Sequence, residues 1–160
     1  MDFGIKGKTA LVCAGSKGLG RACAEALAEE GVNLVIVARG EDVLRGVAAE
    51  IQSNTGVTVT TVVADITTLE GRKKALEANP DPDILINNAG IPDAQRAVKM
   101  TDDLIDNVME TNLTGPYILS CEVARRLMDK KMPGSIVNIS SIAGFDINAQ
   151  SSASLYSVTK

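Results

Sequence analysis

Histidine and tryptophan are absent from the 160 residues, and phenylalanine and tyrosine occur only twice each. Without histidine, every Ser-His or Cys-His nucleophile scheme is excluded. Cys13, Cys23 and Cys121 show no C-x-x-C spacing. With no imidazole beside them a zinc site is not indicated, and they read as small apolar residues of a reducing compartment. So few aromatics leave the core to Val, Ile, Leu and Ala, which suits a parallel sheet covered by helices.

Excess positive charge is also lacking. The net charge is −4, and no basic stripe or tail is visible, so neither nucleic acid nor an anionic membrane surface is the expected partner. No apolar run is long enough to span a bilayer. The opening MDFGIKGKTALVCAG has no long apolar core followed by a small-residue cleavage site, and a cytoplasmic location is the expectation. What is present is an apolar share of 45% and a charged share of 22%. That balance reads as globular, and the length as a single domain over residues 1–160.

Short apolar runs alternate with longer amphipathic ones. Residues 9–14, 33–38, 57–64, 83–87 and 135–140 read as strands, and 21–31, 41–54 and, more weakly, 67–78 as helices. In 41–54, Val43, Leu44, Val47, Ala48 and Ile51 recur at helical spacing. The longest helical pattern covers 102–131. Asn112 and Pro116 fall inside it, and proline has no donor for a helix bond, so an irregularity is expected there. A polar loop over 146–154 leads into the last five residues, YSVTK. The β-α-β-α-β order predicts an α/β fold with a doubly wound, Rossmann-type parallel sheet and right-handed crossovers. No linker, repeat or low-complexity tract interrupts it.

CAGSKGLG, residues 13–20, joins the first strand to the first helix. Glycines let backbone approach a phosphate, and a helix start offers free N–H groups to it. Such turns also occur without a ligand; the position directly after a buried strand favours the binding reading. A dinucleotide site commonly carries an acid after the second strand, where it holds a ribose hydroxyl. Here Arg39 stands in that region and Lys17 lies inside the turn. Two cations there suit a 2′-phosphate, although each alone is an ordinary surface residue. The missing acid also argues against an S-adenosylmethionine site.

Tyr156 and Lys160 lie four apart, on one face of a helix. Taken singly they read as a surface pair, Asn112 as a helix kink or cap, Asn88 as a turn residue and Ser141 as a loop cap. Together with the glycine turn, however, these residues stand in one order on successive elements, and in this the chain resembles the short-chain dehydrogenase/reductase family. The family's Thr-Gly-x-x-x-Gly-x-Gly turn matches Cys13 to Gly20. Its acid after the third strand matches Asp65, followed by Ile66. Its Asn-Asn-Ala-Gly matches Asn87, Asn88, Ala89 and Gly90. Its helix asparagine matches Asn112, its serine Ser141, and its Tyr-x-x-x-Lys pair Tyr156 and Lys160. Two departures stand out. Cys13 and Ala14 replace the family's threonine and first glycine, and 15 residues separate Ser141 from Tyr156. Ser140 is the runner-up for the serine.

The resemblance implies a reductase or dehydrogenase, similar to 3-oxoacyl reductases, that moves hydride between a nicotinamide and a carbonyl or secondary alcohol. NADP(H) is expected over NAD(H), held by Gly15, Ser16, Lys17, Gly18, Leu19, Gly20, Arg39, Asp65, Ile66, Asn88, Ala89 and Gly90, with Tyr156 and Lys160. The implied roles are proton donor for Tyr156, oxyanion support for Ser141, ribose contact and tyrosine activation for Lys160, and a water linking Lys160 to solvent for Asn112. A small-molecule carbonyl or alcohol is the expected partner, with a homo-oligomer for the full-length form. Family members continue past this lysine, so the chain is expected to be an N-terminal portion with the last strand an exposed edge. The alternatives are a nucleotide-binding module without turnover and an interaction module using that edge or the long helix.

Overall fold

The computed structural model describes residues 2–93, 95–145 and 154–160. Five strands form one parallel sheet: β1 (Thr9–Cys13), β2 (Asn33–Ala38), β3 (Val59–Val63), β4 (Ile84–Asn87) and β5 (Ser135–Asn138), in the spatial order β3-β2-β1-β4-β5. The chain builds outward from β1 to β3, then crosses back and builds the other way from β4. That reversal opens a crevice between the carboxyl ends of β1 and β4, the place where open α/β sheets bind ligands.

Both faces of the central strands are apolar, so alternate residues feed two cores. Ala10, Val12, Leu34, Ile36, Ile84 and Ile86 pack with α1 (Gly18–Glu29) and α2 (Glu41–Thr55), through Ala24, Ala28, Leu44, Val47 and Ile51. Leu11, Cys13, Val35, Val37 and Leu85 pack with α3 (Leu69–Ala78) and α5 (Gly115–Asp129), through Ala75, Leu76, Leu119, Val123 and Leu127. Complete burial pushes the Cys13 thiol up to about 12, which keeps it uncharged and apolar in character, as its composition suggested.

Several expected elements change in the structure, and α1 begins at Gly18 and not at Arg21 and ends at Glu29 and not at Gly31. The helical pattern over 102–131 divides into α4 (Asp102–Met109), a π-helical turn (Glu110–Thr114) and α5. Pro116 then stands in the first turn of α5, where its missing donor costs no helix bond. The third strand begins at Val59 and not at Val57, because the Thr58 N–H donates to the Asn33 side chain at 3.0 Å. β5 ends at Asn138 and not at residue 140: the Ile139 carbonyl accepts from the Lys160 ammonium at 2.9 Å and leaves the ladder. β5 lies at the sheet edge, with Ile136 and Val137 exposed. The expected loop 146–154 lies, apart from Ser154, outside the described residues. α6 (Ser154–Thr159) follows it.

α3 sits hard against the loop after β3. A Cβ built on Gly71 would lie 1.8 Å from the Asp65 carbonyl oxygen. Glycine to alanine inside a helix ordinarily stabilises by ~0.5–1 kcal/mol. Gly71→Ala is expected to do the reverse and cost about 1–3 kcal/mol of overpacking, read as a lower urea midpoint. A raised midpoint would show that the helix yields freely.

Candidate active site

The crevice at the strand-order reversal is a cleft of about 450 Å³, lined by Ser16, Lys17, Arg39, Asp65, Ile66, Asn88, Ala89 and Gly90 among others. These come from the loops after β1, β2, β3 and β4, so residues spread over 75 positions share one surface. The rest of the glycine turn frames the cleft. Gly15 donates its N–H to the Val37 carbonyl at 3.2 Å. Gly18 has φ +52°, and a Cβ on Gly20 would stand 2.3 Å from the Ala14 carbonyl oxygen. Leu19 is two-thirds exposed. Ala14 itself has φ +53°, left-handed backbone that favours glycine, so its methyl is held at a local cost.

α1 begins at this turn with no side-chain cap, and its first turn carries no acid. α3 and α4 are capped by Thr68 and Thr101, whose hydroxyls accept from Gly71 and Leu104. The start of α1 thus keeps donors available for an anion while two other helix starts satisfy theirs internally. Arg39 is exposed and stands 4.0 Å from an Asp65 oxygen, a loose pair that leaves the guanidinium free to turn. Asp65 is held by its other oxygen, which accepts from the Thr67 N–H at 3.0 Å and hydroxyl at 2.8 Å. Buried Arg72 supports the same loop by donating to the Ile66 and Thr67 carbonyls at 3.1 and 2.8 Å.

A second cleft of about 430 Å³ lies between α5 and β5, lined by Asn112, Tyr117, Asn138, Ser140, Thr159 and Lys160 among others. Asn112 is buried. Its side chain accepts from the Ile91 N–H at 2.8 Å, and donates to the Ile91 carbonyl at 2.9 Å and the Thr159 hydroxyl at 3.0 Å. The amide grips both polar groups of one backbone unit. Lys160 donates to the Ile139 carbonyl and lies over Gly90, where an added Cβ would be 2.9 Å from its ammonium. Thus Asn112 and Lys160 share one cleft, and Lys160 reaches the residues that line the other. Ser141 and Tyr156 line neither. The Ser141 hydroxyl accepts from the Ala143 N–H at 3.2 Å and caps a short 3-10 turn over Ile142–Gly144; Tyr156 lies half-buried on α6.

Three structurally engaged residues carry no signal in the motifs. Thr159 bridges Asn112 and the Tyr156 carbonyl, to which it donates at 3.0 Å. Asp93 accepts from the Leu155 and Tyr156 N–H groups at 2.8 and 3.2 Å. Thr111, next to Asn112, lines the first cleft. Their partners lie far off in sequence, or on the same helix face as a motif residue, where periodicity gives no clue.

A glycine-turned crevice at the reversal point of a parallel sheet, with an uncapped helix start behind it, defines an α/β dinucleotide-binding fold. Comparison with known proteins narrows this. The family model described as short chain dehydrogenase matches residues 8–160, and the chain belongs to that family. It is 37% identical over 149 residues to a 3-oxoacyl-(acyl-carrier-protein) reductase of Vibrio harveyi, covering 91% of this chain and 59% of that protein. It is 33% identical over 160 residues to an L-xylulose reductase of Mesocricetus auratus, covering 100% and 63%. The crystal structure of L-sorbose reductase from Gluconobacter frateurii, complexed with NADPH and L-sorbose, superimposes with a TM-score of 0.92 at 31% identity, over 99% of this chain and 61% of that one. The chain therefore spans about three-fifths of the length of these relatives.

Burial holds the Lys160 ammonium below its ordinary value of 10.5. The folded state binds that proton less tightly than the unfolded chain, so between the two values the unfolded state carries more protons and stability rises with pH. The gain is present above 10.5 and lost as pH falls through the folded value. The urea midpoint of the wild type, minus that of Lys160→Met, is expected to climb with pH below 10.5 and to level off above it. A flat difference would show that the ammonium is fully solvated.

Proposed function

We propose that this chain forms the cofactor-binding and proton-transfer part of an NADP(H)-dependent oxidoreductase that interconverts a carbonyl and a secondary alcohol. The single observation that carries the proposal is Lys160. Its side chain, directly after α6, reaches across Gly90 at the rim of the dinucleotide cleft and comes to rest on the Ile139 carbonyl beyond β5. That placement puts a partly desolvated cation, four residues from Tyr156, beside the surface expected to hold the nicotinamide.

The cofactor fits the residues present. The open start of α1, Ser16 and Lys17 suit its phosphates, Arg39 a 2′-phosphate, Asp65 and Ile66 the adenine, and Asn88, Ala89 and Gly90 the nicotinamide half. When bound, it supplies the hydride. The relatives crystallised with NADPH, the sorbose reductase and a short-chain dehydrogenase from Sphingobium yanoikuyae with 34% identity and TM-score 0.86, support this choice of nucleotide.

The chain's own residues then handle the proton. A phenol of pKa near 10 holds its proton at neutral pH and delivers it to a developing alkoxide. For the reverse direction it must act as a base, and a nearby ammonium in a partly dry site favours the phenolate. Lys160 has that character, since burial already strains its charge. Ser141 retains its hydroxyl proton while its oxygen accepts from Ala143, so it can donate to the substrate oxygen. Asn112 clamps Ile91 and Thr159 through its amide, and its oxygen keeps a second lone pair for a water that links Lys160 to solvent. Self-association of the full-length form belongs to the same reading: Leu113, Tyr117 and Met128 are exposed along one side of the π turn and α5, and light scattering on that form measures it.

In the full-length natural protein, Tyr156→Phe is expected to lower carbonyl-dependent NADPH oxidation by at least ~100-fold, the scale of general acid catalysis, while NADPH binding by fluorescence stays within about twofold. Retained turnover would remove the phenol from the chemistry, and absence of any turnover in the wild type over a broad carbonyl panel would remove the oxidoreductase reading. Arg39→Asp replaces a charge-assisted contact with repulsion and is expected to shift the NADPH/NADH affinity ratio by ~10-fold or more toward NADH. An unchanged ratio would show that Arg39 does not read the phosphate.

A further inference from the structure

Asp93 is a buried carboxylate, 3% exposed, that faces no cation closely enough for an ion pair among the described residues. Burying such a group is costly unless hydrogen bonds replace its water. One oxygen accepts from the Leu155 and Tyr156 N–H groups, two donors in the first turn of α6; the other is buried with no hydrogen-bond partner. The six-residue α6 is too short to hold itself together in water. A carboxylate on its opening N–H groups satisfies donors that the helix cannot, and complements the positive end of its dipole.

The position of Asp93 gives this cap a meaning beyond stability. It lies two residues after Ile91, whose N–H and carbonyl are both gripped by Asn112, and three after Gly90. Gly90 and Ile91 line the dinucleotide cleft. A four-residue loop therefore presents one surface to the cofactor cleft and, at its other end, holds the backbone nitrogen of Tyr156. Thr159 on Asn112 and Lys160 on Ile139 fasten the far end of α6, and Asp93 holds its tyrosine end.

We propose that Asp93 is a positioning residue: by hydrogen bonding to the Tyr156 backbone from the cofactor loop, it sets the distance between the tyrosine and the bound nicotinamide. Its kinetic consequence rests on the oxidoreductase reading; its structural consequence does not. The test compares Asp93→Ala with Asp93→Asn, which keeps an acceptor oxygen and loses the charge. In Asp93→Ala, hydrogen exchange at Leu155 and Tyr156 is expected to accelerate by about tenfold or more, while β1, β2 and β4 stay protected. In the full-length protein its kcat falls by at least ~10-fold with the NADPH Kd within about twofold, the split that mispositioning a reacting group produces. Asp93→Asn restores both. Unchanged exchange in the alanine variant overturns the proposal, as does an NADPH Kd that rises in step with the fall in kcat. Should Asp93→Ala fail to fold, the asparagine variant decides: protected amides with wild-type kcat support positioning, and lost kcat with protected amides shows that the charge acts instead. A wild type without turnover would sink the oxidoreductase reading alone, with the exchange data still deciding whether Asp93 holds the helix.

Discussion

Everything at the candidate site depends on β4 pairing with β1 rather than with β3. Ala10, Leu11 and Val12 take Ile84, Leu85 and Ile86 as parallel partners on one side and Leu34, Val35 and Ile36 on the other. Parallel strands bury both faces, so the three central strands carry almost nothing but aliphatic residues, and the loops at their carboxyl ends must diverge around the crevice. Without that reversal the glycine turn and the Asn88–Gly90 segment would not face each other. The close approach of Gly20 to the Ala14 carbonyl and the Asn88 side chain records how tightly the two sides meet.

Around that sheet, buried polar side chains connect segments that apolar packing alone would leave loose. Asn87, 3% exposed, donates to Ser120 at 2.8 Å and Asn138 at 2.9 Å, tying β4 to α5 and to the edge strand. Arg72 holds the loop that presents Asp65 and Ile66. Asn112 and Asp93 hold the loop after β4 to the π turn and to α6. Asn87 ends a strand, and the others belong to loops or helices beside a cleft. A hydrogen bond made by a buried polar group tolerates little displacement, because breaking it leaves a desolvated donor or acceptor behind. Such groups confer rigidity where hydride and proton must be delivered to adjacent atoms.

The site therefore joins a rigid half to a marginal one. Ser16, Lys17, Asp65 and Asn88 stand on loops anchored directly to the sheet. Tyr156 and Lys160 ride on a short helix whose position comes from a few long-range hydrogen bonds. Family membership and the superposition with an NADPH-bound reductase concern the whole of this arrangement, while the relatives' further two-fifths lies outside the present chain.

The alternation of apolar runs, the glycine turn and the order of short motifs were legible in the sequence because each is local: a strand buried on both faces is uniformly aliphatic, and a helix with one buried face repeats every three to four residues. The five strands, their parallel order and the irregularity between Asn112 and Pro116 followed from such patterns. Tertiary structure alone decided where polar groups found partners. That the Ile139 carbonyl leaves the β5 ladder for Lys160, that Asn112 spends its amide on Ile91 and that Asp93 caps a helix some sixty residues away are pairings across the fold. Hydrogen bonds select partners by distance and angle once the backbone is in place, and a linear pattern of residue types holds neither. Periodicity records how much surface a residue buries; which atom a buried polar group meets is a property of the closed structure.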